Sequence, residues 1–172
     1  MIAFTILAAA AVAFAAQAQS SQSPLTAPHS SAEGATNVVR RGSGEARPGP
    51  AANFTGQVTV HTPFRVSGSS RMGGATVSFA PGARSAWHSH PLGQTLVVTE
   101  GCGWTQVKGG SVEQICAGDV AWVGPGKVHW HGATPTSAMA HVAISETAEG
   151  QSVQWLQKVT DAEYRLTKNS RP

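Results

Sequence analysis

From residue 57 onward, apolar and polar residues alternate with a period of two, in short runs separated by Gly, Pro and Asp. That is the mark of half-buried strands. Gln57-Val58-Thr59-Val60-His61 is the first run; Ala75-Thr76-Val77-Ser78-Phe79 repeats it, with Ala75, Val77 and Phe79 on one face, and Pro81-Gly82 ends it. Gln94–Thr99, Gly103–Val107, Val112–Cys116, Val120–Val123 and Ala138–Ile144 are predicted strands on the same ground. Many short strands at close spacing predict an all-β jelly-roll barrel. After Glu149 the pattern changes: Val153, Trp155, Leu156 and Val159 have helical spacing, and Thr160-Asp161-Ala162-Glu163 has the form of a capping box opening another short helix. A tail of short helices over 149–172, packed outside the barrel, is therefore expected.

Ahead of the strands, Met1 to Ala16 is an apolar run without a charged side chain, followed by the small-x-small group Ala16-Gln17-Ala18. This reads as a signal peptide over 1–18; a membrane anchor is the alternative, against which stands a length short of the roughly 20 apolar residues a bilayer span needs. The expectation is an exported protein, periplasmic or secreted, with no stable membrane insertion after signal removal. Residues 19–50 are rich in Ser, Ala, Pro and Gly and bury too little apolar surface to offset ordering, which predicts a flexible linker. The barrel domain is placed at 51–148.

The formal charge of +3 is modest and its basic residues are scattered apart from Arg40-Arg41, so no nucleic-acid partner is expected. Cys102 and Cys116 flank a hairpin turn at Lys108-Gly109-Gly110. If the turn centres on Gly109 the two face each other, which allows a cross-strand disulfide in an oxidising compartment; two small buried thiols are the other reading.

Five of the seven histidines fall between His88 and His141, four of them in the pairs His88-Ser89-His90 and His129-Trp130-His131. Side chains at i and i+2 of a strand share a face, so each pair can converge on one point inside a barrel. One isolated strand histidine is more often bonded to backbone or solvent. Two such pairs beside glycine-bounded turns point to a metal site.

Five residues separate Gly82 from His88, three separate His90 from Gln94, and six separate Gln94 from Gly101. This resembles the first cupin motif, with Gln94 where a Glu is usual. Gly118-Asp119, Gly124-Pro125-Gly126 and His129 resemble the second motif, with Gly124 at the usual Pro position and Ala133 at the usual Asn position. The resemblance implies a small single-domain cupin jelly-roll barrel (double-stranded β-helix) with one divalent metal ion per chain on His88, His90, Gln94 and His129. Within the superfamily, Phe54-Thr55-Gly56, Pro81-Gly82-Ala83-Arg84, His90-Pro91-Leu92-Gly93-Gln94, His129-Trp130-His131-Gly132 and Met139-Ala140-His141 are similar to the bacterial manganese-dependent hydroxynitrile lyases, which cleave or form cyanohydrins such as (R)-mandelonitrile.

That likeness implies an aromatic cyanohydrin, or an aldehyde plus cyanide, as substrate, and a homodimer or higher homo-oligomer. It favours manganese, with Fe, Co, Ni and Zn as the alternatives. Three imidazoles and an amide oxygen are neutral, so the ion keeps nearly its full charge as a Lewis acid. His141, at the position of a non-ligand histidine in those lyases, is the first candidate for proton transfer and His131 the second, with support of the ligands through hydrogen bonds as their other reading. Ala75, Val77, Phe79, Ser85, Leu96, Trp122 and Trp130 are candidates for an apolar pocket or for plain core. An oxygen-using Fe or Mn cupin dioxygenase and a non-catalytic metal- or small-ligand-binding cupin of the cell envelope are the competing functions.

Overall fold

The computed structural model describes residue 36 and residues 38–40, 46–66 and 68–166; the apolar leader and most of the predicted linker lie outside the described residues. Among the described residues eleven strands form one curled sheet: β1 Arg47–Pro48, β2 Phe54–Thr55, β3 Val58–Arg65, β4 Met72–Phe79, β5 Arg84–Ser89, β6 Gln94–Val107, β7 Val112–Cys116, β8 Val120–Val123, β9 His129–Ala133, β10 Met139–Glu146 and β11 Gln154–Lys158. One helix follows, α1 over Asp161–Leu166. The path is β1-β3-β4-β10-β6-β9-β5-β11, with β2 beside β5 and β7 and β8 beside β6.

Where apolar alternation is clean, the prediction and the structure coincide: β7 and β8 have the predicted bounds. The two strands expected at Gln94–Thr99 and Gly103–Val107 are one continuous β6. Its first half pairs with β10 and β8 and its second half with β7 and β9, so this strand turns the corner between the two walls of the barrel. The corner falls at Gly101, whose φ of 66° and crowding against Ala138 leave no room for a side chain. Next to it Cys102 faces Cys116 in register and the two form a disulfide, with Gly109 at φ 83° in the intervening turn.

Two expectations are corrected. The sheet begins ahead of the predicted boundary at 51, because Arg47 and Pro48 pair with Val60 and Thr59. The predicted helix around Val153–Val159 is instead β11, which pairs with β5; its Val153, Trp155, Leu156 and Val159 match helical spacing only by coincidence of a short segment. The capping box is as predicted: Thr160 Oγ1 accepts from the Glu163 amide at 3.1 Å while Glu163 accepts from the Thr160 amide at 2.7 Å, and α1 starts there.

The interior is divided along the strands. Toward one end Val77, Phe79, Leu96, Val98, Ile115 and Met139 close it with apolar packing. Toward the other, the inward positions of β4, β5, β6 and β10 leave a cavity of about 300 Å³. A second apolar cluster, Trp87, Trp130, Val159 and Tyr164, covers the outer face of β5 and β9. Both of these strands are buried along their whole length, since each has the interior on one side and this cluster on the other.

Candidate metal centre

His88 lies on β5 and His129 and His131 on β9; β5 and β9 are antiparallel neighbours with His88 paired to His129. Paired residues project to the same side, so these imidazoles meet inside the barrel. His88 is the hub: its ring centre lies 4.2 Å from that of His129, 5.1 Å from His131 and 5.2 Å from His90. One ligand atom from each of His88, His129 and His131 falls within 4.8 Å of the others, a three-histidine group able to hold a metal ion.

The outer nitrogens separate ligand-like histidines from the rest. Nδ1 of His88 faces the Ala86 carbonyl at 2.9 Å, Nδ1 of His129 the Lys127 carbonyl at 3.1 Å and Nδ1 of His90 the Ser152 carbonyl at 2.5 Å. A carbonyl can only accept, so each Nδ1 carries the hydrogen and each Nε2 presents a lone pair. Nε2 of His90 is buried without a partner. Nε2 of His129 stands 3.0 Å from Oε1 of Gln94, acceptor against acceptor, a contact that a shared cation satisfies. Turning the amide over also satisfies that pair but leaves His90 Nε2 bare. Burial holds these rings neutral: His88 is lowered to about 3, by burial first and the neighbouring His129 second, His129 to about 4, again chiefly by burial, and His90 moves the same way. Neutral imidazoles with lone pairs inward are the form that binds metal, so the donor set fits a divalent ion.

His131 is placed differently. One of its ring nitrogens, Nδ1, is 3.1 Å from Nε2 of His141 and shares a hydrogen with it. The Phe79 ring packs against both, with centres at 5.7 and 5.4 Å, and Ser85 Oγ accepts the His131 amide at 3.1 Å. Burial lowers His131 well below the ordinary histidine range, the His141 ring adding to it, and lowers His141 to about 4.

The cavity shows which predicted residues face a ligand. His88, His90, Gln94 and His131 line it, as do Ala75 and Val77. His129 and His141, both at 0% exposure, stand behind that lining. Phe79 and Leu96 are core and Ser85 serves the His131 backbone, so these three support the wall from behind. Of the two tryptophans offered as pocket or core, neither lines the pocket: Trp122 is 62% exposed on β8, and Trp130 is core, pointing outward into the second cluster because its parity on β9 is opposite to that of His129 and His131. Sequence reasoning missed Phe54, Phe64, Val153 and Trp155, all on the lining. Trp155 covers His88 at 4.8 Å and meets Phe54 at 5.5 Å. The i, i+2 spacing of Val153 and Trp155 was the available signal.

A family model described as a cupin domain matches residues 75–145. The chain is 53% identical over 128 residues to a protein from Granulicella tundricola named (R)-mandelonitrile lyase, covering 74% of this chain and 98% of the relative. Among solved structures, a cupin-like protein from Thermotoga maritima is 37% identical with a TM-score of 0.68, covering 79% of this chain and all of that one. A polyketide cyclase from Streptomyces resistomycificus shares the fold at 15% identity and a TM-score of 0.59, covering 79% of this chain and 95% of that one. Identity at that level across nearly the whole of a relative, on a matching barrel, makes this chain a member of the cupin family.

Proposed function

We propose that this cupin is a metal-dependent hydroxynitrile lyase that cleaves and forms aromatic cyanohydrins of the (R)-mandelonitrile type. The name of the Granulicella relative supports the reaction, and the observation that carries it here is the division of labour among the histidines. Three of them, His88, His90 and His129, have Nδ1 on backbone carbonyls and, with Gln94, are the proposed ligands. A divalent metal bound there, manganese by the sequence likeness, supplies Lewis acidity undiminished by any anionic ligand.

The chain's own groups do the rest. In cleavage the bond between the carbinol and nitrile carbons breaks, its electron pair leaves with cyanide, the hydroxyl loses its proton as the carbonyl forms, and cyanide gains a proton. His131, neutral and on the cavity wall, takes the hydroxyl proton and passes it to the departing cyanide; His141, the first candidate for this step on sequence, is bonded to His131 from behind the lining, where it fixes its orientation and shares the charge. Phe54, Val77 and Trp155 give the cavity an apolar flank for the aryl ring. The reading extends to export, since a disulfide such as Cys102–Cys116 persists in oxidising compartments.

Mandelonitrile cleavage by manganese-loaded protein tests this. Enantioselective benzaldehyde release, lowered at least about 100-fold by His131→Ala and by His141→Ala, is expected. Background rates would sink the proposal, and oxygen uptake with a phenolic substrate would favour the dioxygenase instead. Intact-mass analysis of exported protein checks cleavage after Ala18.

A further inference from the structure

Apart from the histidines, the cavity lining holds one ionisable side chain among the described residues, Arg65 at the end of β3. Its surroundings look built. The register of β3 shifts between His61 and Phe64, a bulge of the kind that re-aims side chains beside binding sites. Opposite the re-aimed pair are two glycines: a Cβ at Gly74 would stand 2.8 Å from the Phe64 ring, and one at Gly73 would stand 3.4 Å from Arg65 Cγ. The missing side chain at Gly74 makes room for the Phe64 ring, and Arg65 follows it on the rim.

The guanidinium has no carboxylate partner among the described residues. It makes one long bond, Nη1 donating to Thr147 Oγ1 at 3.4 Å, among the described residues. Arg71 nearby is different, because it pairs with Glu146. Arg65 and Thr147 also line a second cavity of about 320 Å³ that opens beside the first, so the charge stands where the two meet.

Strand register fixes the position relative to the histidine end. Arg65 pairs with Gly73, Gly73 with Ser145, and Ser145 with Gln94, a single row across β3, β4, β10 and β6. Three strand spacings separate the backbones of Arg65 and Gln94, about 14 Å along the sheet. Both side chains line the same cavity, Gln94 at the histidine end and Arg65 at the rim, so a ligand that touches both spans the cavity. A planar fork of N–H donors is matched by a carboxylate.

We propose that the substrate of this enzyme is an aromatic aldehyde, or its cyanohydrin, bearing a carboxylate far from the reacting carbon, and that Arg65 binds that carboxylate. This rests on the lyase reading and narrows it. The test uses full-length manganese-loaded protein with two probes, 4-formylbenzoate and benzaldehyde, followed by calorimetry and by cyanohydrin turnover. The acid is expected to bind about tenfold more tightly, the low end for a charge-assisted pair at an exposed rim, and to lose that advantage in high salt. Arg65→Met should abolish the advantage through KM with kcat kept, Arg65→Lys should restore part of it, and Arg71→Met should leave it intact. Equal affinity for both probes, or equal loss of both in Arg65→Met, overturns the inference even if mandelonitrile is cleaved. An Arg65-dependent preference without any turnover upholds the carboxylate site but overturns the lyase reading, and with it the claim that the ligand is a substrate.

Discussion

The same two strands, β5 and β9, present opposite chemistries on their two faces. Inward stand His88, His129 and His131; outward stand Trp87 and Trp130, packed with Val159 and Tyr164. Both strands are buried along their length, the inner face against the cavity and the outer against the aromatic cluster. The inner one buries polar rings in their neutral form at a cost in stability, while the outer one buries aromatic surface, with Trp130 and Tyr164 edge to face at 5.8 Å. Reactivity and cohesion are thus separated by one residue along the chain. Alternate positions should fail in different ways.

The largest effect is expected at the inner face. His129→Ala should lower cyanohydrin turnover by more than about 1,000-fold and strip the metal seen by elemental analysis, yet move the thermal midpoint of chelator-treated protein less than any outward aromatic truncation does. Trp130→Ala should invert that pattern: a loss of about 3–5 kcal/mol in denaturant unfolding, with kcat per folded molecule preserved at low temperature. If Trp130→Ala silenced the enzyme while folded, the two faces would not be separable.

A finer probe is Tyr164, whose hydroxyl donates to the Ala133 carbonyl at 2.6 Å and ties α1 to the end of β9. Tyr164→Phe leaves that buried acceptor unpaired and should cost about 1–2 kcal/mol in urea titration, without altering metal content. The smallest effect belongs to Asp161, an exposed carboxylate on buried Arg84, which also donates to the Val159 carbonyl. The Arg84 guanidinium holds the Asp161 carboxyl below its ordinary value of 3.8. A depressed carboxylate contributes stability above its unfolded pKa and loses it as pH falls through the folded one. Wild type should therefore exceed Asp161→Asn in thermal midpoint at neutral pH and converge with it below pH 3.8; a constant gap at all pH would assign the bond no electrostatic part.

The barrel was legible because period-two alternation survives where one face is wet, as in β7 and β8. It failed where a segment is too short to distinguish periods: Val153 to Val159 satisfies both, and only pairing with β5 decides. The histidines were legible as a group from their i, i+2 spacing. Their roles were not, because those depend on what each outer nitrogen meets: Ala86, Lys127 and Ser152 carbonyls in three cases, another histidine for His131. Trp122 and Trp130 were open between pocket and core: parity sends Trp130 into the outer cluster, while Trp122 stands exposed on the edge strand β8. Arg65 gave no signal at all, since it follows a register shift in β3 that no residue pattern announces.

The β10–β11 connection also orders events in time. A two-residue turn, Glu149 at φ 50° and Gly150 at φ 82°, brings the chain back through the Ala148–Gln151 bridge, after which Ser152 meets His90 and Trp155 covers His88. During synthesis the donors between His88 and His129 leave the ribosome before Ser152, which faces His90, and Trp155, which covers His88. Maturation of the centre therefore waits on the C-terminal stretch, so a ribosome stalled before residue 152 would carry every donor and no finished site.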